Sequence, residues 1–225
     1  MKIRGTILLS VAAFATGFVF WQAGAMSPAV ADDGALTAAT VSMALPAVGG
    51  DYEYVGSKKC KMCHIKEYKS WEKTKMAQSF ETLKPGQASE AKAKHNLDPA
   101  KDYTKDESCL PCHTTGYGHA GGYAIPPAGD DKAAKKAKKL EGIGCESCHG
   151  PGSAYIDVFK EIQKSKRMYK VEELYAVGLT KIDSASCTSC HSDKSPTHDA
   201  SKPFDFEKQK DEDTHEHQPL KQREG

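Results

Sequence analysis

Four segments of this chain repeat one pattern: CKMCH at 60–64, CLPCH at 109–113, CESCH at 145–149 and CTSCH at 187–191. All eight cysteines, Cys60, Cys63, Cys109, Cys112, Cys145, Cys148, Cys187 and Cys190, fall inside these segments. C-x-x-C-H is the attachment signature of c-type haem. Two thiols add across the vinyl groups as thioethers, and the next residue brings an imidazole to the iron from the same turn. Paired cysteines also bind zinc or form disulfides, but neither chemistry asks for a histidine after every pair. Histidine is 9 of 225 residues, so four chance placements would be a few-in-a-million event. The expectation is four covalent haems, with His64, His113, His149 and His191 as the first iron ligands.

Haem also accounts for a lean composition. Hydrophobic residues are 39% and charged residues 27%, little apolar material for a conventional core of this length. Four apolar macrocycles would supply the rest. The expected fold is mainly α with long loops and little sheet, a multihaem cytochrome c fold wrapped around four covalently attached haems. The motif spacing is too irregular for a solenoid. A formal charge of +1 gives no bias toward nucleic acid or a membrane surface.

The N-terminus has Lys2 and Arg4, then an apolar run from Ile7 to Trp21, then Ala29-Val30-Ala31. This pattern is a secretory signal peptide over 1–31 with an A-x-A cleavage site, which implies export to the bacterial periplasm. Membrane association would arise only through an uncleaved leader. Residues 32–50, rich in Ala, Gly and Thr, read as a linker. The haem domain then covers 51–220, with a short tail at 221–225.

Within it, residues 64–86 read as one helix with Tyr68, Met76, Phe80 and Leu83 near one face and Pro85-Gly86 as the stop. Further helices are expected in GDDKAAKKAKKLEGIG, SAYIDVFKEIQKSKRMY and KVEELYAVGL, and a Gly/Pro-rich loop in TTGYGHAGGYAIPPAG. Five histidines lie outside the motifs: His95, His119, His198, His215 and His217. His95 and His198 sit in polar surroundings typical of the surface. His119 is too close to His113 in sequence to reach across the same haem. One of His215 and His217 is suited to ligation.

The chain resembles the tetrahaem cytochrome c-554 family. The similarity lies in the four motifs in order, LDPAKDYTKD before the second, GYGHAGGY after it, GIGCESCHGPG at 142–152 and THEHQPL near the end. The resemblance implies stacked haem pairs, first against third and second against fourth. It implies His215 as distal ligand on the haem of His191, and a second haem, on His113, without a protein sixth ligand. Two positions depart from the pattern. Met76 stands where the family has a distal histidine for the third haem; it is either a core residue or a thioether ligand. The segment after CHGPG, where the family has a distal histidine for the first haem, contains none, leaving Tyr155, Met168, a borrowed histidine or an open iron.

These residues imply an electron carrier working between redox partner proteins. The lysines at 132–139 form a solvated face or a docking patch for an acidic partner. The other reading is an enzyme acting on nitric oxide or hydroxylamine at an incompletely ligated haem. No catalytic triad, phosphate loop or carboxylate pair stands out. Intact mass of the mature chain after denaturation is expected to retain four haems, because thioethers survive unfolding; three or fewer in a fully matured preparation would contradict the motif reading.

Overall fold

In a computed structural model of the protein, residues 51–212 and 214–224 are described. The leader, its cleavage site and the 32–50 linker lie outside them. The described part is helical, with two isolated bridges, Thr114 to Glu141 and Tyr169 to Arg223, and no strand among the described residues. No helix among them is long and apolar enough to cross a membrane.

A 3-10 turn at Cys60–Met62 leads into α1 (Ile65–Trp71). The single helix expected over 64–86 is instead broken after Trp71 and resumes only as a 3-10 segment, Ser79–Leu83. The break has a local cause. The Thr74 hydroxyl donates to the Trp71 carbonyl at 2.7 Å and accepts the Ala77 amide at 3.2 Å. Threonine thereby offers the backbone an alternative to the helical ladder. Trp71 is fixed by its indole N–H donating to the Ile143 carbonyl at 2.9 Å.

α2 (Ser89–Lys94) is a short helix in the Lys/Ala-rich stretch, and α3 (Leu110–His113) is the second motif itself. α4 (Asp131–Lys138) begins where Asp130 accepts the Ala133 amide, with an acid in the first turn and lysines in the last, as the helix dipole favours. α5 (Cys145–His149) is the third motif and α8 (Ser184–Thr188) enters the fourth. Between them run α6 (Tyr155–Ser165) and α7 (Val171–Tyr175), which pack on each other. α9 (Phe206–Gln209) precedes the last segment. Residues 116–128 form the expected loop without helix or strand.

Two apolar clusters hold these pieces. One gathers Phe80, Leu83, Tyr103, Leu110, Tyr123, Ala137 and Leu140 around the second motif. The other gathers Ile162, Tyr169 and Leu174 with the partly buried Tyr155, Val158, Phe159 and Leu179. The packing continues past Leu220 into the expected tail. Tyr169 donates its amide to Gln222 at 2.9 Å and accepts the Glu224 amide at 2.8 Å.

Candidate haem sites

Each motif is a single turn. In the first, the amides of Cys63 and His64 both return to the Cys60 carbonyl; in the fourth, those of Cys190 and His191 return to Cys187. One turn puts both sulfurs and the imidazole on one side of the segment.

The turns meet in pairs. Cys60 lies beside Cys145, and both line one cavity. Cys112 lies beside Cys190 in the same way. The first motif therefore touches the third, and the second touches the fourth. α5 and α8 also pack together, so the order of contact is first, third, fourth, second.

A cavity of about 520 Å³ lies at the first pair. Cys60, Cys63, His64, Cys145 and His149 line it together with Tyr155, Phe159, Tyr169, Leu174 and, from the end of the chain, His215 and His217. An apolar cleft with a few convergent polar groups, in the range of about 300–1,000 Å³, is the usual form of a cofactor site.

The imidazoles are prepared as ligands. Burial first, then the neighbouring histidines His215, His64 and His217, hold His149 down to about 4, so its ring is neutral at physiological pH. Burial also lowers His113, whose Nδ1 sits 2.7 Å from the Ser79 carbonyl. A carbonyl only accepts, so Nδ1 carries the proton and Nε2 keeps its lone pair. His215 is set the same way, with Nδ1 2.9 Å from the Glu216 carbonyl. His64 stacks beside Phe159 at 5.9 Å, and His191 stacks on Phe204 at 4.6 Å.

The structure brings His215 to the third motif, whereas the resemblance pairs it with His191. Its ring centroid lies 6.2 Å from that of His149, with 29° between the planes. Two imidazoles on opposite sides of one metal, with bonds of ~2 Å each, have centroids about 6 Å apart. The spacing, the cavity and the neutral His149 ring fit haem. The route of the chain explains the placement: the Glu216 amide donates to the Ser70 hydroxyl of α1 at 2.6 Å, carrying the last segment across the first motif.

The other candidates go elsewhere. Met76 is half-buried, does not line the His149 cavity, and accepts the Ile143 amide at its carbonyl. Tyr155 lines the cavity, but its hydroxyl donates to the Gly150 carbonyl at 3.1 Å and burial pushes it up, so it stays a phenol. Met168 is 53% exposed and outside the cavity. His119 and His198 are exposed, and His95 is half-buried at the end of α2.

Gly150-Pro151-Gly152 also has a physical reason. A Cβ on Gly150 would lie 2.4 Å from Thr180 Oγ1 and 2.5 Å from the Gly178 carbonyl, at a φ of +77°. A Cβ on Gly152 would press at 3.0 Å on Oε1 of Glu146. Glu146 itself is a residue that pattern reading passes over. It is the fully buried acid between the cysteines of the third motif, and it accepts the amides of Val55, Gly56 and Gly152.

A sequence model of the family described as cytochrome c554 and c-prime matches residues 59–150, the span of the first three motifs. The solved structure of reduced cytochrome c554 from Nitrosomonas europaea matches with a TM-score of 0.68 at 33% identity, over 78% of this chain and 91% of that one. The chain belongs to the cytochrome c554 family. Cytochrome c-554 of the same organism is 37% identical over 148 residues, 64% of this chain, and the match spans 60% of that protein's length. As a family member the chain is a c-type cytochrome, a class that binds haem covalently.

Because the Tyr155 hydroxyl is committed to a carbonyl, Tyr155→Phe is expected to leave the optical spectrum unchanged. It should lower stability by about 1 kcal/mol, the usual net worth of one hydrogen bond. A changed Soret band would instead identify Tyr155 as an iron ligand.

Proposed function

We propose that this protein is an exported, periplasmic tetrahaem cytochrome that passes electrons between redox partner proteins, with haems paired first with third and second with fourth. The observation that carries this reading is the contact of Cys60 with Cys145 and of Cys112 with Cys190. Macrocycles anchored at touching turns lie close enough for electrons to hop between them. The haems supply the redox chemistry. The chain supplies the thioether anchors, the ligand nitrogens and an apolar shell that excludes water from the His149 side.

In this reading His149 and His215, whose rings lie 6.2 Å apart, would hold the third haem. At the first haem α6 brings Tyr155 and Phe159 to His64 rather than a histidine, and His217 is the remaining imidazole that lines the cavity. That feature favours a second reading, turnover of nitric oxide or hydroxylamine at the His64 haem. Assay of these substrates with a defined electron donor or acceptor separates the two readings.

The exposed lysines of α4 suit an acidic partner. Lys138 is occupied by Glu81 and Glu141, whereas Lys132, Lys135, Lys136 and Lys139 have no carboxylate partner among the described residues. Complementary charge of this kind speeds encounter and is screened by salt.

The ligand assignment is checked by spectroscopy. His215→Ala is expected to convert one low-spin haem to high spin in the EPR spectrum and to raise one reduction step, while His217→Ala leaves both unchanged. The reverse ranking would transfer the ligand role to His217.

A further inference from the structure

The junction of the first and third motifs contains a charge that haem attachment does not require. Glu146 is 1% exposed. Its Oε1 accepts the amide of Gly152 at 2.7 Å and that of Val55 at 2.9 Å. Its Oε2 accepts the amide of Gly56 at 2.7 Å and that of Val55 at 3.1 Å. These partners are all backbone N–H groups, which only donate. Burial pushes the Glu146 carboxyl up, and the amides of Val55, Gly152 and Gly56 pull it back down; a protonated carboxyl would set its own O–H against these donors, so the geometry favours the carboxylate. Val55 and Gly56 precede the first motif by a few residues, and Gly152 follows the third. One side chain thus ties the approach to Cys60 to the exit from His149.

We infer that the Glu146 carboxylate is a built-in negative charge that lowers the reduction potentials of the two haems anchored at the first and third motifs, setting this pair apart from the second and fourth. The physical basis is Coulombic. A buried anion stabilises ferric over ferrous iron, and its effect is large where little water screens it. Its field already reaches both anchors and the cavity wall: Cys60, Cys145 and Tyr155 are each pushed up in part by Glu146. The second pair has carboxylates near it too, Asp106 near Cys109 and Asp183 near Cys187, but water screens both: Asp106 is only half-buried and pairs with Lys101, and Asp183 is exposed. The two pairs are therefore poised differently, and an electron that enters at the first pair moves downhill toward the second.

The inference rests on the tetrahaem reading, and one experiment separates their failures. The mature protein with its haems is titrated spectropotentiometrically beside two variants. Glu146→Gln removes the charge at nearly constant shape. Ser57→Asp adds a second carboxylate at the same junction, where the Ser57 hydroxyl now accepts the Cys145 amide at 3.1 Å. Glu146→Gln is expected to make reduction of two of the four haems at least tenfold more favourable, about 59 mV per one-electron step. Ser57→Asp is expected to move the same two steps the opposite way. The other two steps stay in place in both variants. A purely structural role for Glu146 would not give shifts of opposite sign. Four retained haems with unmoved potentials, or shifts of the same sign, overturn the inference and leave the tetrahaem reading intact; fewer than four haems in the wild type overturn that reading instead. If Glu146→Gln does not mature, Ser57→Asp decides alone: a lowered pair supports the inference and unmoved steps overturn it.

Discussion

A C-x-x-C-H segment must bring two sulfurs and one imidazole to a single rigid macrocycle, and only a tight turn does so. The chain meets this demand four times and then brings the turns together. Cys60 touches Cys145 and Cys112 touches Cys190, although 85 and 78 residues separate them in sequence. Most other features serve these two contacts. Glu146 clamps the approach to the first motif onto the third. The Thr74 turn bends the chain after α1, and the glycines of Gly-Pro-Gly let residues 178–180 pass close to the exit of the third motif.

The small protein core follows from the same demand. The buried apolar residues form two modest clusters, one at the second motif and one beneath the first pair. The lean apolar composition and the scarcity of regular sheet are one fact. A chain whose interior is furnished by prosthetic groups needs side chains that line and orient them more than side chains that pack on one another. Phe159 beside His64, Phe204 on His191 and the carbonyls of Ser79 and Glu216 on the Nδ1 atoms of His113 and His215 are such groups.

Local chemistry was readable from the sequence; long-range routing was not. The four motifs, the helices α4, α6 and α7, and the glycine loop follow from residue patterns with short reach. The break after Trp71 did not, because one threonine hydroxyl overrode an apolar periodicity that was itself sound. Family position pointed His215 at His191 and Met76 at the third haem. The fold sets His215 beside His149 through a hydrogen bond from the Glu216 amide to Ser70, 146 positions earlier in sequence, and keeps Met76 out of that cavity. Glu146 was hidden for another reason. An acid between two cysteines looks like a solvent-facing spacer until its three amide donors are seen.

The pairing of the haems is the claim on which the electron-transfer account stands. It is tested most directly by crystals of the mature protein measured at the iron absorption edge, where anomalous scattering locates each iron independently of the chain. The account predicts four iron peaks in two close pairs, the first iron nearest the third and the second nearest the fourth. A first iron nearest the second, or four irons without close pairs, would contradict it.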